Sequence, residues 1–299
     1  MWRFGAADWM LKEQEKGSRT PSKGRVLIAG LIGNVMEWYD FALYGYFATV
    51  IGQQFFPSTN PTASLIGAFG AFAAGFIVRP LGGIVYGRIG DLVGRRRALT
   101  LSVIAMAIPT VAMAFLPTHA QIGIAAPIAV VLLRLLQGIS AGGEYTTSII
   151  FLAEAAPDRQ RGFFSIWGLW GSVLGMLMGS AFGDLLTRTL TQTQLDAWGW
   201  RVAFALGFLV ALTGVIIRTG IGEDEAPETT KTPLASTLGV HRTAFLRVLA
   251  LNIASSVGFY AVYVYLVTYV EVVDGLSDSV ALSLNTDVMA VLLLLYPIT

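Results

Sequence analysis

Residues 33–46 read GNVMEWYDFALYGY and put two carboxylates, Glu37 and Asp40, inside a stretch otherwise apolar enough to cross a membrane. On an α-helix Asn34, Glu37, Asp40, Phe41 and Tyr44 recur at spacings of three and four and share one stripe, while Val35, Met36, Ala42 and Leu43 cover other faces. An ionisable group at bilayer depth is costly unless paired, and such stripes mark substrate and ion pathways. A structural salt bridge to a neighbouring helix accounts for either acid equally well.

A second stripe lies in residues 134–144, RLLQGISAGGE. Arg134, Gln137, Ala141 and Glu144 stand at offsets of three, seven and ten, so a guanidinium, an amide and a carboxylate share a helix face around one small residue. At about 1.5 Å per residue, Arg134 is expected near mid-membrane and Glu144 near the cytoplasmic edge, within reach of water. Across the first, second and fourth apolar runs, Glu37, Asp40 and Glu144 face only Arg79 and Arg134. One carboxylate is left over. One acid of the Glu37/Asp40 pair is therefore the candidate proton carrier. Arg134 is the candidate for holding a substrate anion or releasing the proton by re-pairing, and Glu144 is a weaker third acid.

These stripes need membrane-spanning helices to position them. The chain is 55% hydrophobic and 13% charged, with mean hydropathy +0.65, more apolar surface than a soluble core of ordinary size can hide. It reads as an integral membrane protein. The absence of cysteine excludes disulfides, thiolate metal sites and cysteine nucleophiles. His119 and His241, both expected outside the hydrocarbon, cannot assemble a histidine metal cluster or a Ser-His-Asp arrangement there. Neither an enzyme, nor a metal site, nor a cofactor beyond a proton gradient is expected.

Since a helix needs about 20 apolar residues to cross the hydrocarbon, the chain offers runs near 26–55, 63–87, 98–117, 122–154, 161–186, 200–219, 246–272 and 280–299. One side receives Arg3, Lys12, Lys16, Arg19, Lys23 and Arg25, then Arg88 and Arg95 to Arg97, Arg159 and Arg161, and then Arg218, Lys231, Arg242 and Arg247. The other side receives Arg188 and Arg201. The positive-inside bias places the N-terminus in the cytoplasm. Trp198 and Trp200 suit an interfacial aromatic belt. The predicted organisation is a cytoplasmic tail (1–24), a six-helix half (25–219), a cytoplasmic linker (220–244) and the start of a second half (245–299), which stops after about two spans. The expected fold class is an all-α membrane bundle, with the second half expected to continue beyond residue 299.

Residues 87–99, GRIGDLVGRRRAL, form a charged turn between the second and third runs. Gly87 and Gly94 allow close backbone approach. Asp91 can cap the next helix or pair with Arg95, Arg96 or Arg97. A topology anchor is the plainer reading; a phosphate loop is not, because no Lys-Ser or Lys-Thr follows Gly94.

This loop resembles the signature loop of the major facilitator superfamily. With it, EWYDFALYGY, RPLGG at 79–83, RLLQGISAGGE, EAAPDRQRG at 154–162 and WGWRVAF at 198–204 resemble the metabolite:proton symporter branch, whose members carry 2-oxoglutarate, citrate, shikimate and proline or betaine. The resemblance runs from about Gly30 into the eighth run. It implies a major-facilitator-like bundle, with Arg134 and Gln137 in a fourth-span motif linked to proton transfer and residues 87–97 as a gating loop. Leu92 stands where that loop often has a basic residue.

In the fifth run Gly168, Gly171, Gly175, Gly179 and Gly183 make a ridge for close helix packing. The Gly-Pro pair of many drug antiporters is missing, since Met176 follows Gly175. In the seventh run Asn252, Ser256, Tyr260 and Tyr263 share a face. The expected function is proton-coupled uptake of a small carboxylate or zwitterion by a monomer in the cell (inner) membrane, with no nucleic-acid partner. Asn34, Tyr44, Arg79, Arg134, Gln137, Tyr260 and Tyr263 are the expected substrate-binding residues. The alternatives are a truncated sensor or inactive remnant, and an uncoupled facilitator.

Overall fold

The computed structural model describes residues 23–219, 239, 241–260 and 278–298. They belong to two compact units that divide after Pro227. The tail and most of the linker, residues 1–22 and 220–238, lie outside the described residues.

Among the described residues of the first unit six helices are long and apolar enough to cross a membrane: span one, Lys23–Tyr46; span two, Pro61–Val93; span three, Arg95–Phe115; span four, Ala125–Glu154; span five, Arg161–Thr189; and span six, Gln192–Thr219. Their ends follow from local chemistry. Asn60 caps span two by accepting the Thr62 amide, with Pro61 preset for a first helical turn. Gly94, at φ 95°, makes the corner between spans two and three that a residue with a Cβ resists. Thr191 and Gln194 cap one another at the start of span six.

Two expected boundaries shift. The run 26–55 breaks at Phe47 into span one and a separate helix, Ala48–Phe55. Span two is interrupted at Val78, between Pro61–Ile77 and Arg79–Val93, where Pro80 follows. A π-turn, Leu195–Gly199, feeds span six and extends it outward from the expected start.

Span one is the most enclosed of the six. The glycine ridge of span five lies directly on it: a Cβ on Gly171 would meet the Leu31 carbonyl, and one on Gly175 the Val35 carbonyl. Spans two and four are equally close, Gly138 facing the Gly75 carbonyl and Gly142 the Arg79 carbonyl. Such contact lets helix backbones pack without interposed side chains, which fixes the depth and rotation of the polar stripes. A core of Phe47, Ile51, Phe55, Trp200 and Phe204 fills one end of the bundle. Trp200 is therefore a buried core residue, packed edge-on against Phe55, and not part of an interfacial belt; Trp198 remains exposed. Ile66, Ile77, Ile108, Leu132 and Ile216 line the exterior, which hydrocarbon covers.

The second unit contains helices Arg242–Tyr260 and Asp278–Leu295. Asn252 donates to the Val248 carbonyl of its own helix, and Asp287 is exposed. Residues 261–277, including Tyr263, and the side chain of Tyr260 lie outside the described residues, and with them half of the expected wall of Asn252, Ser256, Tyr260 and Tyr263.

Candidate functional site: two arginine–carboxylate pairs on span one

The stripe on span one divides among three partners at three depths. Asn34, one turn before Glu37, donates to Ser148 Oγ of span four at 2.8 Å. Glu37 meets Arg79 of span two, and Asp40 meets Arg134 of span four.

At Asp40 the polar groups close on one another. Arg134 Nη1 donates to Oδ2 at 2.7 Å, and Gln137 Nε2 donates to Oδ1 at 3.0 Å. The Thr110 hydroxyl, on span three, accepts from Gln137 Nε2 at 2.9 Å and lies 3.1 Å from Asp40 Oδ1. Tyr44 stands under Arg134, its ring centroid 3.8 Å from the guanidinium carbon, and anchors its own hydroxyl on the Ala68 carbonyl. Asp40, Thr110 and Gln137 are fully buried and Arg134 nearly so. Arg134 Nε and Nη2 and Gln137 Oε1 find no hydrogen-bond partner among the described residues. A charge-assisted bond of this kind is strong in a medium of low dielectric.

At Glu37 the pairing is looser. Arg79 Nη2 approaches Oε1 to 3.0 Å, yet neither Glu37 oxygen accepts a hydrogen bond from any described group. The guanidinium instead lies over the rings of Phe76 and Phe41, 4.1 and 4.5 Å from their centroids.

Glu144 departs from its expected setting. It is buried, not solvated at a cytoplasmic edge, and pairs with Arg218 of span six while Ser102 donates to it. Arg218 also donates to the carbonyls of Ala29 and Leu99. It is a buried residue within a helix, not a loop cation. The charge balance changes with it: Glu37, Asp40 and Glu144 each have an arginine. No carboxylate of the three is left over, because a count over the first, second and fourth runs could not see an arginine on span six.

In the turn between spans two and three Asp91 pairs with Arg95 at 2.7 Å, and Arg95 reaches Glu154 at the end of span four at 3.4 Å. Arg96 and Arg97 open span three, and Gly87 lies on span two, away from neighbours. The spacing had tied Asp91 to the arginines; it gave no sign of Glu154.

The family model for sugar (and other) transporters matches residues 26–224. The chain belongs to the major facilitator superfamily. The chain is 35% identical to the alpha-ketoglutarate permease of Escherichia coli (strain K12), over 91% of its own length and 64% of that one. It is also 35% identical to the glycine betaine/proline/ectoine/pipecolic acid transporter of Dickeya dadantii, over 83% of this chain and 52% of the relative. It is 32% identical to the shikimate transporter of Escherichia coli (strain K12), over 85% of this chain and 61% of that one. The chain spans about half the length of the Dickeya dadantii relative and less than two thirds of the other two. A solved proton:xylose symporter shares its fold at a TM-score of 0.72 and 19% identity, over 92% of this chain and 67% of that one.

Sequence reasoning missed Thr110, Ser102, Ser148, Phe76 and Arg218 as site neighbours. For Thr110 a signal existed, since it follows Pro109 inside span three. For Arg218 none did, because its position at the end of an apolar run resembles that of any topology anchor.

Proposed function

We propose that this chain is part of a secondary active transporter that takes up a small organic carboxylate or zwitterion together with protons. The observation that carries the reading is the sealed Asp40–Arg134 pair. A buried carboxylate loses its hold on a guanidinium when it takes a proton, and Arg134, with two donors already unpartnered, then presents its charge to a substrate anion. Loss of the proton restores the pair and expels the anion. Gln137 and Thr110 keep Asp40 hydrogen-bonded in either state. The names of the relatives support the substrate class, since they cover organic acids and zwitterions alike.

The chain acts as a monomer in the cell (inner) membrane, its N-terminus cytoplasmic, on the lysine and arginine distribution between loops. Alternation between access states follows the rocking of helical bundles general to such folds, and the Asp91–Arg95–Glu154 link braces one closed state.

The test is uptake of labelled proline, trimethylglycine and 2-oxoglutarate into vesicles carrying the full-length protein, with and without an imposed proton gradient. Gradient-dependent accumulation is expected for at least one of them, with Glu37→Gln and Asp40→Asn each altering its pH profile. Equilibration without accumulation marks an uncoupled facilitator. Binding without uptake marks a sensor or an inactive remnant. An unchanged pH profile in both variants moves the coupling site elsewhere.

A further inference from the structure

Two of the guanidinium groups that rest on aromatic rings, those of Arg134 and Arg79, are held very differently. Arg134 is locked: it is 1% exposed, hydrogen-bonded to Asp40, and set on Tyr44. Arg79 is 21% exposed at its side chain, makes no aligned hydrogen bond to Glu37, and rests on the faces of Phe41 and Phe76. Those two rings are stacked, with centroids 5.3 Å apart and planes 29° from parallel. Beside them Glu37 is 1% exposed, and both of its oxygens lack a hydrogen-bond donor among the described residues. A buried carboxylate with free lone pairs next to two π faces is a site built for a cation. Its present occupant is a side chain on a flexible stem, attached just after the interruption of span two at Val78. Broken helices of this kind border transporter binding sites.

We propose that Glu37, Phe41 and Phe76 form a subsite for an alkylated or quaternary ammonium group, which enters by displacing the Arg79 guanidinium. A quaternary ammonium offers no N–H, so it suits the ring faces, and its charge complements Glu37 without needing an aligned donor. The displaced Arg79 then lies beside the ligand and meets its carboxylate. Charge inside the membrane is unchanged throughout, because a zwitterion replaces one cation–anion contact by two. A dicarboxylate brings no cation for the rings and places a second anion against Glu37. The subsite therefore selects zwitterions over dianions. This inference rests on the transport reading above and narrows its substrate class.

Titration calorimetry on the purified chain with tetramethylammonium chloride, trimethylglycine and sodium succinate tests it. Tetramethylammonium and trimethylglycine are expected to bind, with Phe41→Leu or Phe76→Leu weakening each by about tenfold or more. Phe76→Tyr, which keeps a ring, should retain binding and separates loss of the ring from loss of the fold. Arg79→Gln should leave tetramethylammonium bound as tightly or more tightly, its competitor gone, while weakening trimethylglycine. Absence of tetramethylammonium binding in both the native protein and Arg79→Gln overturns the subsite, as does binding indifferent to both leucine variants. Vesicle uptake separates this from the broader reading. Gradient-driven trimethylglycine accumulation that ignores both tetramethylammonium and Phe76→Leu sinks the subsite alone. Ring-dependent tetramethylammonium binding without any accumulation supports the subsite and sinks the transport reading alone.

Discussion

Arg134 Nη1 stands 2.7 Å from Asp40 Oδ2, and water reaches neither side chain. Removing one member of such a pair strands the other charge in the bundle, at a cost of about 3–5 kcal/mol. Asp40→Asn should accordingly lower the melting temperature of the detergent-solubilised protein, whereas Asp40→Asn combined with Arg134→Gln should recover much of the loss. Equal melting temperatures for the native protein and the single variant would show that the pair carries no such coupling.

The Glu144–Arg218 pair supports a parallel experiment with a different readout. Arg218 holds the carbonyls of Ala29 and Leu99 as well as Glu144, so it ties the end of span six to spans one, three and four. Arg218→Gln should speed hydrogen exchange at the Ala29 end of span one and the Leu99 end of span three. Adding Glu144→Gln should relieve the buried unpaired acid, restoring part of the stability but not the slow exchange.

Glycine packing makes a sharper prediction because the sites divide cleanly. Gly138→Ala drives a methyl into the Gly75 carbonyl, and overpacking of this kind costs about 1–3 kcal/mol. Gly45 and Gly70 have open space where a Cβ would stand, so Gly45→Ala and Gly70→Ala should be neutral or stabilising by about 0.5–1 kcal/mol. Thermal melts of the three variants check the ordering.

At the turn after span two, Asp91→Asn breaks the pair with Arg95 and loosens the reach to Glu154. The variant should insert normally and transport poorly in the full-length protein. Uptake at the native rate would leave the turn with a topological role only.

Orientation can be read directly by reporter fusions. Fusions within residues 1–24, at the turn around Gly94 and within residues 220–243 should all report a cytoplasmic location. A signal from the outer side of the membrane at the last of these would invert the assignment.

The polar stripes were legible because helical spacing is a local property: Asn34, Glu37, Asp40 and Tyr44 had to share a face of span one, and Arg134, Gln137 and Glu144 a face of span four. The ridge from Gly168 to Gly183 was legible for the same reason, though not that its partner is span one. The belt role of Trp200 and the solvation of Glu144 were misjudged because their partners, Phe55 and Arg218, lie far away in the sequence.

What the sequence determined by itself is the membrane setting, the helical fold class and the family, since hydropathy, helical period and short motifs are all written in contiguous residues. Only the tertiary structure decided the pairing: Asp40 with Arg134, Glu37 with Arg79, and Glu144 with Arg218. Partner choice depends on the relative depth and rotation of helices far apart in the chain. Glycine-to-carbonyl contacts between spans set those two quantities, and no window of sequence contains both sides of such a contact.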